Sequence, residues 1–341
     1  MPDSFPIEQL SVGVIGGGIA GGTAARLLHQ RGFSVTVFDK ARGPGGRCST
    51  RRGDGVAFDH GAQVFCPRSP ALDGLVTEWH DAGVIEPWNG RHVRINDGLL
   101  EPADDRTRWV GVPGMNALVK HALADLDVRF NHRIESIQLD EDGWLVQTAD
   151  AEPCGRFDRI ILAVPADQAA PLLAEASPNL SGHIDTLPME PRWAVMLSVD
   201  APLELPFDSA EINGHSSLGW LARNSAKPGR PASPPECWVL MASRHWSMEH
   251  VEKEFAWVAE QLTDDLHALC EDYGVKSANH EQPTAHRWRF GFPGEVVGEP
   301  FIMDGTRTLA CVGDWLLGDR IEHALESGIA AADAMSMTRT G

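Results

Sequence analysis

Val12-Gly13-Val14-Ile15-Gly16-Gly17-Gly18-Ile19-Ala20-Gly21-Gly22 is the stretch that decides the fold. Val12, Val14 and Ile15 read as a short buried strand. The chain then turns through glycines and leaves as a helix carrying Ala24, Ala25, Leu27 and Leu28. Gly16, Gly18 and Gly21 occupy the three places of a G-x-G-x-x-G dinucleotide fingerprint, with Ala20 between them. Gly16 permits the tight turn, Gly18 lets backbone approach a pyrophosphate, and Gly21 lets helix pack on strand. The helix N-terminus offers free N–H groups and partial positive charge to phosphates. A second strand, Ser34 to Phe38, ends on Asp39, where an acidic residue is expected to meet ribose hydroxyls. An ordinary glycine-rich turn with a surface aspartate is the competing reading of the motif taken alone.

A second glycine-rich loop follows, Lys40-Ala41-Arg42-Gly43-Pro44-Gly45-Gly46-Arg47. A dehydrogenase with one dinucleotide has no need of it. A cofactor with a ribityl chain as well as a pyrophosphate does. Gly45 and Gly46 permit close backbone approach. Arg47 can neutralise a phosphate or hydrogen-bond near the ring, unless it is simply a surface arginine. Length and charge bound the rest. The chain of 341 residues suggests two domains. A formal net charge of -19 argues against nucleic acid and anionic membranes as partners. No apolar run is long enough to span a bilayer, and the first ten residues show no secretory pattern. Cys48, Cys66, Cys154, Cys237, Cys270 and Cys311 form no C-x-x-C pair and no zinc spacing. They read as reduced thiols of a cytoplasmic protein. Residues 228–235 read as a proline-rich surface loop between strands.

Further along, residues 69–82 and 114–126 have helical spacing, and Arg108 to Pro113 reads as a strand. Val128 to Phe130 reads as a short parallel strand. Arg133 to Leu139, Trp144 to Thr148 and Phe157 to Ala163 alternate as an antiparallel meander. Trp193 to Asp200, Ser217 to Arg223 and Cys237 to Ser243 read as sheet strands. Ser247 can cap a long helix reaching Cys270. Thr308 to Val312 reads as a buried strand, followed by Gly313-Asp314 and a small-residue helix over 321–335, expected to pack on the first strand.

Together, G-x-G-x-x-G, the acidic strand end, G-x-G-G-R and Asp59-His60-Gly61-Ala62-Gln63 resemble the FAD-dependent amine oxidase superfamily. The resemblance implies non-covalent FAD, with Lys40 beside Asp39, Gln63 and Val64 at the flavin, Ile134 at the adenine, Asp314 at the ribityl and phosphate part, and Ile321 at the pyrimidine end. It implies an α/β fold of the amine oxidase and p-hydroxybenzoate hydroxylase type. A Rossmann-like FAD domain (1–68, 100–165 and 286–341) is interleaved with a mixed-sheet substrate domain (69–99 and 166–285). Trp220 to Arg230 and His286 to Pro293 sharpen the likeness to the renalase group. That implies oxidation of 2- or 6-dihydro isomers of NAD(P)H, hydride passing to flavin N5 and O2 becoming H2O2. The partners implied are a small dinucleotide and O2, with oligomeric state open. A flavin-dependent amine oxidase, a non-catalytic FAD sensor and an enzyme like the phytoene desaturases or protoporphyrinogen oxidases are the alternatives. Against the first, the strand Trp193 to Asp200 carries no lysine, and the single tyrosine, Tyr273, falls at a helix end. No conventional catalytic base is expected, because the cofactor carries the chemistry. Asn224, His245, Trp288 and Arg289 are the candidates for placing the substrate. Each has a plainer reading, as a loop asparagine, a polar histidine, a core tryptophan and a salt-bridged arginine.

Overall fold

The first strand, Ser11–Ile15, lies in the middle of a six-stranded sheet. The computed structural model describes residues 10–149, 152–231, 234–276 and 278–337. The amino-terminal residues read for a leader, and part of the proline-rich loop, lie outside these. Arg159–Leu162 and Ser34–Asp39 flank the first strand in parallel register, Val14 facing Ile161 on one side and Val37 on the other. Asp127–Phe130 extends the sheet beyond Asp39, and Leu309–Cys311 with Ile302–Met303 completes the opposite edge. Strands buried on both faces need apolar side chains both ways: Val12, Val14, Val35 and Val37 point to one side, Ile15 and Phe38 to the other. Helix Ile19–Gln30 covers one face together with helices Asn116–Ala122 and Ile321–Ser336. The three-stranded meander and helices Ala166–Leu173 and Pro178–Ile184 cover the other.

A seven-stranded sheet forms the second region, ordered Thr284–Pro293, Met189–Val199, Glu236–Ala242, Leu218–Arg223, Ser209–Asn213, His92–Asn96, Leu99–Pro102. Its pairs are antiparallel except Ser209–Asn213 with His92–Asn96. Helix Phe255–Asp272 buries Val258, Leu262, Leu266 and Leu269 behind this sheet. The opposite face presents Met196, Val239 and Met241 to Phe58 of the first region.

Several elements depart from the sequence expectation. The meander is Ile134–Asp140, Gly143–Thr148 and Pro153–Phe157. Asp158 breaks the apolar run, and Arg159–Leu162 joins the parallel sheet instead. Ser247 is no cap of the long helix. Ser243 caps a short helix, Arg244–Glu249, by accepting from Trp246 N–H, and the long helix starts afresh at Phe255. Leu72, Trp79, Ile85 and Trp88 pack in the same core as Val12 and Val14, so that stretch sits with the first region. The second sheet instead recruits residues 92–102 and the whole Thr284–Pro293 strand. The closing helix packs on the first helix rather than the first strand. A Cβ at Gly328 would stand 2.5 Å from Ala20 O. Among the described residues, no helix is long and apolar enough to cross a membrane.

Candidate cofactor and substrate site

A cleft of about 1000 Å³ runs between the two regions, from the first glycine turn to the edge of the seven-stranded sheet. Gly16 has φ +110°, and a Cβ there would lie 2.3 Å from Ala163 O. Gly21 would place one 2.1 Å from Gly16 O. These two glycines are required by the protein's own packing. Gly18 differs, since a Cβ on it would meet nothing within 4 Å. Its open side belongs to the cleft, which Gly18 lines. Helix Ile19–Gln30 starts there with no side-chain cap and no acidic residue in its first turn, so its N–H groups and dipole are free for an anion. Gly46, at φ +51°, sits beside Gly18: a Cβ on it would stand 3.4 Å from Gly18 Cα.

Asp39 fixes this turn. Its carboxylate accepts from Gly17 N–H at 2.8 Å and from Ala41 N–H at 2.7 Å, and it lines the cleft beside Lys40. Lys40 donates to Gln168 at 2.7 Å. Burial, then Arg133, pushes the Lys40 ammonium below its ordinary range. Ala20, Ile134 and Ile321 also line the cleft. Arg47 lies there too, but its guanidinium is not free for a phosphate. It is doubly bonded to Asp314, at 2.7 Å on one oxygen, and donates to Gly291 O at 3.2 Å. The pair joins the second glycine loop to Gly313-Asp314 near the far end of the chain. Ser327 Oγ accepts from Gly313 N–H at 2.9 Å and steadies that corner.

Gln63 and Val64 do not line the cleft. The lining falls to His60, Gly61 and Ala62. Gln63 turns inward, donating to Gly61 O at 3.0 Å and to Asp59 O, and accepting from Lys227 Nζ at 3.0 Å. Beneath this segment lies a fully buried ionic cluster. Asp59 accepts from Arg230 at 2.5 Å, Lys227 at 3.1 Å, Thr50 at 2.7 Å and Met115 N–H at 3.0 Å. Burial alone would raise the Asp59 carboxyl, but Lys227 and Arg230 hold it well below the usual carboxylate range. Pro231 and Pro234 of the proline-rich loop are exposed as expected, but Arg230 enters the interior and donates to Gly111 O at 2.6 Å.

The four substrate candidates separate. Asn224 is buried in the same scaffold, donating to Ala57 O at 2.7 Å and accepting from Asp59 N–H at 3.3 Å, and it does not line the cleft. His245 stands on the short surface helix with its side chain 86% exposed, outside the cleft. Trp288 is in the wall. Its indole donates to His60 O at 2.7 Å, and its ring stacks on His60 with centroids 5.3 Å apart. Arg289 is at the mouth, with Glu252 taking its guanidinium at 2.8 and 3.2 Å.

The sequence reading missed His60, His286, Arg51, Met241 and Arg192 as lining residues. His60 and His286 stood inside the quoted motifs, so proximity to them was the available signal. His286 packs edge-on to both His60 and Trp288 at 4.7 and 4.4 Å. Burial pushes both imidazoles down to about 4, with Arg51 adding to it and, for His286, His60 as well. Both rings are therefore neutral at neutral pH.

A dinucleotide-binding sheet, a second sheet closing over it and a cleft with two glycine loops define a flavoprotein oxidoreductase. The chain belongs to the family described as flavin containing amine oxidoreductase, whose model matches residues 98–336. Residues 14–79 match an NAD(P)-binding Rossmann-like domain. Its cofactor is FAD. The open face of Gly18, the uncapped helix and the cleft volume all fit such a group. Among curated proteins, a hydroxyneurosporene desaturase of Rubrivivax gelatinosus is 46% identical over 102 residues, 27% of this chain and 19% of that one. The chain thus matches only about a fifth of that relative's length. A protoporphyrinogen oxidase-like structure from Exiguobacterium sp. 255-15 superposes with a TM-score of 0.76 over 96% of this chain and 99% of its own, at 13% identity. Cyclohexylamine oxidase from Brevibacterium oxydans IH-35A does so with a TM-score of 0.69, over 96% and 98%, also at 13%. At such identities the likeness is one of fold.

Proposed function

We propose that this flavoenzyme oxidises dihydronicotinamide isomers, the 2- or 6-dihydro forms of NAD(P), to NAD(P)+, in the manner of the renalase group. The observation that carries the reading is the wall made by His60, His286 and Trp288. It is aromatic, uncharged at neutral pH and planar in part, with His60 and Trp288 22° from coplanar. A planar, uncharged dihydropyridine suits such a wall. Arg51, Arg289 and Arg192 line the same cleft and suit the phosphates of a dinucleotide, in a chain whose overall charge is -19. Bound FAD supplies the hydride acceptor, and O2 restores it with release of H2O2.

The protein's part is orientation. His60 is held through its carbonyl by Trp288, and Gly61 through Gln63 and Lys227, so this segment is fixed before substrate arrives. An amine substrate arrives chiefly as its ammonium form and has to lose a proton before it can give hydride, and the Met189–Val199 strand carries no lysine. Lys227 is buried in its ion pair with Asp59.

The test is anaerobic mixing of the purified yellow protein with the 2- and 6-dihydro isomers, ordinary NADH and a panel of amines, following loss of flavin absorbance. Fast bleaching by one isomer, with NAD(P)+ as product, is the expected result. Fast bleaching by an amine, or by none of the reductants, overturns the proposal.

A further inference from the structure

Most of the partly buried arginines of this acidic chain are bonded to a carboxylate. Arg47 has Asp314, Arg223 has Asp208 and Glu236, Arg230 has Asp59 and Arg108 has Asp104. Arg192 has none. It lies on the Met189–Val199 strand opposite Trp288 and lines the cleft. Its guanidinium makes no hydrogen bond or ion pair among the described residues, and its Nε is buried without a partner. One face rests on Phe292, 4.8 Å from the ring centre. Gly219 leaves room beside it, because a Cβ there would stand 3.3 Å from Nη2. Burial draws Arg192 down to about 10 against the pull of Asp319, which lines the same cleft without bonding to it, so it keeps its charge at neutral pH.

A buried cation without a bonded counter-ion is costly, so an apolar side chain of similar length in its place is expected to be neutral or stabilising. Such a group in a cleft wall is explained if the ligand brings the missing anion. A guanidinium fork matches phosphate oxygens in pairs, and its binding strengthens where water is excluded. We propose that Arg192 binds a phosphate of the substrate dinucleotide, at a site separate from the cofactor phosphate site at the glycine turn. This rests on the dinucleotide reading above. It goes further by naming the residue that selects a phosphorylated substrate over the bare nicotinamide riboside.

The experiment is isothermal titration of the FAD-loaded protein with inorganic pyrophosphate, NAD+, nicotinamide riboside and benzoate. It compares the parent with Arg192→Met and Arg192→Lys. The expected result is that Arg192→Met loses at least about tenfold in affinity for pyrophosphate and NAD+, with riboside binding and FAD content unchanged. Arg192→Lys, which keeps the charge without the fork, falls between. The melting temperature of Arg192→Met should stay level or rise, whereas a structural arginine would lower it. Loss of FAD from the variant would assign Arg192 to the cofactor and overturn the proposal. Unchanged pyrophosphate affinity, or tighter binding of benzoate than of pyrophosphate, would overturn it too. Pyrophosphate binding does not require turnover. If Arg192 governs it while no dihydro isomer bleaches the flavin, the anion site stands and the proposed activity falls.

Discussion

The two ends of the cleft are built from different materials. At the glycine turn the lining is mostly backbone, shaped by missing side chains and a helix N-terminus. At the sheet end it is side chains, namely His60, His286, Trp288, Met241 and Arg192, brought from strands far apart in sequence. The first end follows from local chemistry, because a glycine's constraint is set by its near neighbours. The second depends on which strands the fold places side by side. The backbone end accordingly suits a cofactor common to a whole family, and the side-chain end is where one member can differ from another.

The largest effect tests the backbone end. Gly21→Ala would force a Cβ against Gly16 O and Ala163 Cβ, at 2.1 and 2.8 Å, with no flexible atom able to yield. It is expected to abolish the folded, yellow protein, since clashes in packed interiors already cost about 1–3 kcal/mol when side chains can move. Gly18→Ala sharpens the contrast. Its Cβ enters only the cleft, so the melting temperature of the apoprotein should not change while FAD affinity falls by roughly tenfold, about 1.4 kcal/mol. Equal melting temperatures for the two variants would erase the distinction between packing and ligand glycines.

Next is the scaffold beneath His60. Asp59→Asn leaves Lys227 and Arg230 buried without their anion, a change expected to cost about 3–5 kcal/mol in chemical denaturation. Burial raises the Asp59 carboxyl, but its two cations depress it further, so the folded value lies below the unfolded one. Its contribution is then fully present above the unfolded carboxylate range and is lost as pH falls through the folded value. The parent should lose stability in acid more steeply than Asp59→Asn. Parallel curves would remove Asp59 as the anchor.

The histidine wall gives a smaller, pH-dependent effect. His60 and His286 fall from 6.5 to about 4 on folding, chiefly through burial. Above 6.5 both states are neutral and pH has no influence through these groups. As pH falls from 6.5 towards 4, the unfolded chain takes up protons that the folded one refuses, so stability declines. The melting temperature of the parent should drop across that window, and His60→Asn with His286→Asn should flatten the drop. An unchanged slope would mean the wall is wetter than its packing indicates.

How far this was legible in the sequence follows the same division. Gly16, Gly18, Gly21 and Asp39 could be placed because their constraints act within one strand-turn-helix unit. The Arg159–Leu162 strand reads as one with Phe157 because Asp158 and Arg159 interrupt the apolar residues without a glycine or proline to mark a break. The gap before Phe255 was missed for the same reason, so Ser247 was read as a cap. Amphipathic spacing over residues 69–82 revealed a helix but not which of two cores it faces. Arg47 and Asp314 are 267 residues apart, and Arg230 and Asp59 are 171 apart. No local pattern announces such pairs, so Arg47 reads as free for phosphate and Arg230 as part of a surface loop. Arg192 had no signal at all, since its isolation shows only when the neighbours are in place.

The smallest expected effect concerns the other arginine of the side-chain end. Arg289 is held by Glu252, which also takes Arg287 at 2.9 Å, and all of this lies at the exposed mouth. Exposed ion pairs contribute little, because water and salt screen them and two long side chains must be ordered. Glu252→Gln should therefore leave the melting temperature unchanged within error. It should still strengthen pyrophosphate binding to the FAD-loaded protein by a few-fold, since a competing anion has gone from Arg289. High salt should erase that gain while sparing the part of the affinity that depends on buried Arg192. A gain that survives high salt would place Arg289 deeper in the site than its exposure implies, and the division between a screened mouth and a desolvated wall would have to be redrawn.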